Sequence, residues 1–273
     1  MGSPTTLWEQ FCSQPIVEDC PLYDMHGHWG STTGICLPAA QFETARRLLE
    51  RSGVKRLVIC HHHALFSPEA GNATNVAAVR QLPEILRAYL AINPNYPELM
   101  AQDLADYDRY PEVYVGLKML ADYHRIAVDA PDAAPAWEMA NARGLLVLLH
   151  TWGGSRYDGY EQVKSVLERY PNAKVLLGHS LFGEWEHAAE LAADYPNCYL
   201  ELTAASLERG GMETMLRGVG SEKLVFGTDF PWFGYPYCVG TILGANMTDE
   251  NRRNILYRNA QRLLGEASHE GEG

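Results

Sequence analysis

Leu22-Tyr23-Asp24-Met25-His26-Gly27-His28-Trp29-Gly30 reads as a short strand that ends in two histidines one residue apart. Side chains alternate along a strand, so His26 and His28 share a face and two imidazoles sit side by side. Seven later apolar runs repeat this theme, at 54–60, 85–92, 113–119, 145–149, 173–177, 198–202 and 223–226. Several end in a residue with chemistry to offer. His61-His62-His63 follows the second run, Lys118 lies near the end of the fourth, and His150 ends the fifth. Gly178-His179 follows the sixth, and Gly227-Thr228-Asp229 follows the eighth. Between these runs the apolar residues recur at helical spacing. Phe42, Ala45, Leu48 and Leu49 form one such stripe, with Gly53 as its stop, and further helices are predicted near 75–82, 99–107, 133–143, 160–170, 185–192, 212–219 and 248–264.

The strand centres lie roughly 25–33 residues apart, which leaves room for one crossover helix each, and continuous apolar strands suit a sheet covered on both faces. Eight such units predict an α/β fold of the (β/α)8 barrel type. The competing architecture is an open, doubly wound sheet. A chain of 273 residues that is 47% hydrophobic can bury one large core. The expected organisation is therefore a lead-in at 1–21, a single barrel domain at 22–265 and a mobile Gly/Glu-rich tail at 266–273.

Charge and cysteine content narrow the function. A formal net charge of −12 disfavours nucleic acid and anionic membrane surfaces, both of which attract basic patches. No apolar run approaches the ~20 residues needed to span a bilayer, and the reading is of a soluble, cytoplasmic protein acting on a small molecule, monomeric or as a homo-oligomer. The six cysteines are scattered, with no Cys-x-x-Cys pair, and are expected to be buried thiols.

In a barrel the reactive groups gather at the C-terminal ends of the strands. That rule puts His26, His28, Lys118, His150, His179 and Asp229 at one mouth although they are far apart in sequence. Each has a plain explanation as a strand cap or turn residue. Their joint placement points to a metal centre, since imidazoles and a carboxylate suit a divalent ion with a coordination position left open.

The chain at this point resembles the amidohydrolase superfamily, and within it the amidohydrolase-related branch that includes aminocarboxymuconate-semialdehyde decarboxylase. The resemblance runs from Tyr23 to Leu264. It rests on Asp24-Met25-His26-Gly27-His28, Gly116-Leu117-Lys118, Leu149-His150-Thr151, Gly178-His179, Phe226-Gly227-Thr228-Asp229-Phe230-Pro231 and Asn259-Ala260-x-x-Leu263-Leu264. It implies that His26, His28, His150 and Asp229 bind one divalent ion, expected to be zinc, and that Asp229 also contacts the metal-bound water. His179 would polarise substrate or move a proton. The resemblance also implies an alternative in which a carboxylated Lys118 bridges two ions and His179 binds the second.

Further residues near the strand ends are candidates for substrate contact. These are Trp29, Trp152 and Trp232 as apolar walls, one of the three consecutive histidines with His61 taken first, and Arg156 or Arg125 as a fork for a carboxylate. His124 and His187 are expected on surfaces. The leading expectation is a metal-dependent hydrolase in which activated water attacks a small carboxylate-bearing lactone, amide or similar bond. The alternative keeps the site and changes the reaction to non-oxidative decarboxylation of a small aromatic or unsaturated acid. A metal-stabilised binding protein is the third reading.

Overall fold

The computed structural model describes residues 6–17, 19–67 and 69–266. Eight parallel strands pair in sequence order: β1 (Leu22–Trp29), β2 (Val54–His61), β3 (Leu86–Ile92), β4 (Tyr114–Met119), β5 (Leu146–Trp152), β6 (Lys174–Phe182), β7 (Cys198–Glu201) and β8 (Leu224–Val225). The ring closes between β8 and β1. Met25 N donates to Phe226 O at 3.0 Å, Asp229 N to His26 O at 2.7 Å and His28 N to Phe230 O at 2.5 Å. Closure leaves none of the open edges of a doubly wound sheet, so the fold is the (β/α)8 barrel.

The strand composition explains the closure. All eight residues of β1 are buried, as are Leu146, Val147, Leu148 and Leu149 of β5, because alternate side chains fill the barrel and the space under the helices. The helix Phe42–Arg51 buries Ala45 and Leu49 while Arg46 bridges Glu43 and Glu50 on its outer face. The helix Ala134–Arg143 stops at Gly144, whose φ of 65° is the left-handed cap that glycine adopts at little cost.

Several elements depart from the sequence expectation. The consecutive histidines do not simply prolong β2: His61 caps a short helix, His62–Phe66, that turns the chain across the mouth. The helix Tyr235–Gly244 was not predicted, since Pro236 and two glycines obscure its pattern, yet it buries Tyr235, Cys238, Val239, Ile242 and Leu243. Against it packs the helix Leu7–Ser13, started by a reciprocal Thr6–Glu9 capping box. The last helix contains a π-helical turn at Asn254–Arg258. Glu266, placed in the mobile tail by the sequence, is held by Arg56 Nε at 2.8 Å, and the rest of that tail, 267–273, lies outside the described residues. All six cysteines are free thiols, four of them buried and Cys12 and Cys36 exposed. No helix among the described residues is long and apolar enough to cross a membrane.

Candidate metal centre

The barrel's C-terminal mouth opens into a cavity of about 390 Å³ whose floor carries His26, His28, Lys118, His150, His179 and Asp229. Among the described residues, ligand atoms of His26, His179 and Asp229 lie within 4.8 Å of one another. His28 Nε2 joins them at 3.0 Å from Asp229 Oδ1, and His26 Nε2 is 3.4 Å from the same oxygen. His150 closes the far side, its ring centroid 4.9 Å from that of His179.

Three of the imidazoles are locked with the same nitrogen facing inward. His26 Nδ1 donates to Glu201 Oε2 at 2.7 Å, His28 Nδ1 to Cys60 O at 3.0 Å and His150 Nδ1 to Asp158 Oδ2 at 3.1 Å. Each ring therefore keeps its proton on Nδ1 and turns the Nε2 lone pair into the cavity. Burial, reinforced by the Lys118 charge, holds His26 well below its ordinary value, which agrees with a neutral ring. The consequence at Asp229 is electrostatic. His28 Nε2 and Asp229 Oδ1 are both acceptors, yet they face each other at 3.0 Å, and Asp229 Oδ1 is buried with no hydrogen-bond donor. An acceptor facing an acceptor is unfavourable unless a cation lies between them, so these residues fit a divalent metal ion.

The residues that orient these side chains are as specific as the side chains themselves. Glu201, wholly buried at the end of β7, accepts from His26 Nδ1, from the His179 backbone at 3.2 Å, and from Thr203 N and Oγ1 at 2.6 and 2.5 Å. Burial pushes its carboxyl above the ordinary glutamate range. Gly227 makes room for it, because a Cβ there would collide with Glu201 Oε1. His179, Ser180 and Leu181 all have left-handed backbone, with φ of 65°, 49° and 52°. Such conformations cost about 1–2 kcal/mol each for non-glycine residues. Hydrogen bonds offset the cost here: Ser180 Oγ donates to Glu201 O at 2.8 Å and Leu181 N to Thr151 Oγ1 at 3.0 Å. Burial lowers the His179 imidazole to about 3, and its Nδ1 has no partner. Lys118 Nζ donates to His26 Nε2 at 2.9 Å, and burial lowers its amine from the ordinary value.

The sequence candidates divide into those brought to the cavity and those kept from it. Trp152 and Trp232 line the cavity, together with Tyr123, Phe66 and Phe233. Trp29 does not: it is buried beside Phe42 outside the barrel lumen. His61 is turned away to cap the following helix, and His62 takes its place. The His62 ring stacks on His28 at 4.8 Å, donates from Nδ1 to Gly30 O at 2.8 Å and accepts from Trp232 Nε1 at 3.2 Å. Both of its nitrogens are thus committed to positioning. Arg156 is exposed and engaged with the Tyr157 hydroxyl, and Arg125 is exposed outside the cavity. His124, expected on a surface, is half-buried and donates from Nε2 to Leu65 O at 2.9 Å. Of the three consecutive histidines it is thus His62, not His61, that faces the cavity, while Glu201 and Asp158 carry no signal that the sequence reading used. Glu201 ends a strand in the same way as the floor histidines, a signal available in Leu200-Glu201-Leu202.

A family model described as amidohydrolase matches residues 23–265. The solved 2,6-dihydroxybenzoate decarboxylase from Rhizobium is similar in fold, with a TM-score of 0.71 over 90% of this chain and 99% of its own at 13% identity. The dihydroxybenzoic acid decarboxylase from Polaromonas sp. JS666, solved with manganese and the inhibitor 2-nitroresorcinol, gives a TM-score of 0.69 over 90% and 97% at 15% identity. The 5-carboxyvanillate decarboxylase from Sphingomonas paucimobilis gives 0.67 over 91% and 100% at 14% identity. No curated protein sequence matches the chain.

Proposed function

This chain belongs to the amidohydrolase family, and from that premise we propose that it is a metal-dependent, non-oxidative decarboxylase of a small aromatic or unsaturated carboxylic acid. The observation that carries the reading is where positive charge is found. Among the described residues lining the cavity, Lys118 is the one lysine or arginine, and it lies on the floor beside His26. A hydrolase that recognises a carboxylate away from the scissile bond needs a cation on the cavity wall, and Arg125 and Arg156 do not supply one. The substrate carboxylate is therefore bound at the floor, at the reacting centre, which is the arrangement decarboxylation requires. The similar structures named above, all three of them decarboxylases, support this alternative over the hydrolysis favoured from sequence.

One divalent ion would be held by Nε2 of His26 and His28, Oδ1 of Asp229 and an imidazole of the His150–His179 pair, and it would supply charge that binds and polarises the carboxylate. This donor set suits zinc and manganese alike. Lys118 adds a donor beside the carboxylate, and Trp152 and Tyr123 orient the ring. The bond between the ring carbon and the carboxyl carbon breaks, its electron pair stays on the ring carbon, and carbon dioxide leaves. The proton that replaces the carboxyl group is taken from solvent by the Asp229 carboxylate and passed to that carbon.

Two measurements test this. Metal analysis of protein purified without added metal is expected to give about one divalent ion per chain; a value near zero after manganese supplementation removes the centre, and a value near two with carboxylated Lys118 selects the two-ion arrangement. With 2,6-dihydroxybenzoate and simpler hydroxybenzoates in deuterated water, turnover is expected to release carbon dioxide and leave one deuterium at the vacated carbon. Hydrolysis of lactones or amides without any such release would overturn the reading.

A further inference from the structure

We infer that the substrate carries a single carboxylate and an uncharged, apolar body reaching from the floor to the mouth. The inference rests on the floor-bound carboxylate of the preceding section and concerns the rest of the molecule. Ten large apolar side chains are substantially exposed among the described residues, and six of them ring this one mouth: Ile35, Phe66, Tyr123, Trp152, Leu207 and Trp232. Scattered exposed apolar residues need no explanation, whereas six of them lining the entrance to one cavity mark a surface that is covered in use. The cavity volume of about 390 Å³ falls within the ~300–1,000 Å³ range that encloses drug-sized ligands. A bare benzoate would leave the ring uncovered.

The charge pattern fixes the other half. Above the floor the polar side chains on the wall are Thr32, Thr33, the Tyr123 hydroxyl, the Trp152 and Trp232 indoles and His62, whose two ring nitrogens are already engaged by Gly30 O and Trp232 Nε1; none is a lysine or arginine. A second carboxylate on the substrate would be drawn out of water with no cation to meet it, and burial of an unpaired charge is strongly unfavourable. The net charge of −12 acts in the same direction by repelling dianions. The site is thus set against dicarboxylic acids and towards monocarboxylates with an alkyl or aryl extension.

The test uses binding, so it does not depend on turnover. Benzoate, 4-methyl-, 4-propyl-, 4-pentyl- and 4-phenylbenzoate, and the dicarboxylate terephthalate, are titrated into manganese-supplemented protein, with Kd read by calorimetry and by quenching of Trp152 and Trp232 fluorescence. Affinity is expected to rise about three- to fourfold per methylene until the chain passes the rim. Terephthalate is expected to bind about tenfold or more weakly than 4-methylbenzoate. Leu207→Ser and Phe66→Ser, at side chains 52% and 47% exposed on which the core does not depend, should flatten the series, with 4-pentyl- and 4-phenylbenzoate losing more affinity than benzoate. A flat series in the parent protein, or tighter binding of terephthalate, overturns the inference. If the series holds and no acid loses carbon dioxide, the reaction assigned above fails and the apolar monocarboxylate site stands.

Discussion

Asp229→Asn is expected to lower the rate per bound ion by about 10²- to 10⁴-fold, or about 3–5 kcal/mol of barrier, while a large part of the metal binding survives. The substitution separates two roles. As a ligand Asp229 offers Oδ1, and the amide oxygen of asparagine can take the same place with lower affinity. As a proton carrier it needs an ionisable carboxyl, which asparagine lacks. The backbone does not confuse the result, because Asp229 has a φ of 57° and asparagine is among the few residues that adopt this region readily. Its amide also still donates to His26 O, so the closure of the barrel is kept. His187→Asn on the exposed face of the helix Trp185–Asp194 is the control and should change nothing; His124 is unsuitable because its imidazole holds Leu65 O. Rate and metal content are measured on the same samples. An Asp229→Asn variant with the parent's rate per ion would make Asp229 a ligand alone and move the proton transfer to His179.

Glu201→Gln and Glu201→Leu are expected to damage metal binding from a residue that does not face the ion. Glu201 accepts four hydrogen bonds in full burial, and only a carboxylate can accept from all four. Leucine strands every one of these donors, for an expected loss of about 3–5 kcal/mol in unfolding stability. Glutamine keeps the volume and part of the acceptance, so it should cost less stability. It nevertheless turns an N–H towards one of the donors, and the tautomer of His26 is no longer enforced. Loss of such an orienting partner typically lowers metal affinity by about 10- to 100-fold. Chelator competition gives the affinity and urea unfolding the stability. A Glu201→Gln protein that is less stable but binds manganese as tightly as the parent would show that Glu201 is only a structural residue.

The barrel was readable because its signals are local and repeated. Runs such as Leu146–Leu149 are buried on both faces, so they carry no alternation to misread, and each is separated from the next by at least one helix. The floor histidines and Asp229 were readable for a related reason: a strand end is an address, and the barrel rule turns that address into a place in space. What was lost depended on details of one or two residues. The switch from strand to helix at His62 rotates the chain, so that His62 enters the cavity where His61 was expected. Trp29 lies one residue beyond His28, and alternation alone sends it to the opposite face of β1, against Phe42. Glu201 and Asp158 went unnoticed because a residue that orients a ligand leaves no spacing pattern of its own; its position is defined only once the ligand's ring is placed. Arg156 is separated from the cavity by its engagement with Tyr157, a contact that no periodicity encodes.

The seam between the last strand and the first has a consequence for the chain while it is being made. Thr228 donates to Asp24 from both its amide and its hydroxyl, at 3.2 and 2.5 Å, across 204 residues of sequence, and Tyr235 adds its own hydroxyl at 2.8 Å. Contacts of such long separation are the costliest in loop entropy and the slowest to be found. A nascent chain that has emerged as far as Leu224 already carries His26, His28, Lys118, His150 and His179. It lacks Asp229 and the strand that holds β1 in register. Reactivity and completion of the fold thus arrive together: the polypeptide gathers nearly all of its chemically active groups early in synthesis, and none of them can act as a site until the two ends of the barrel meet.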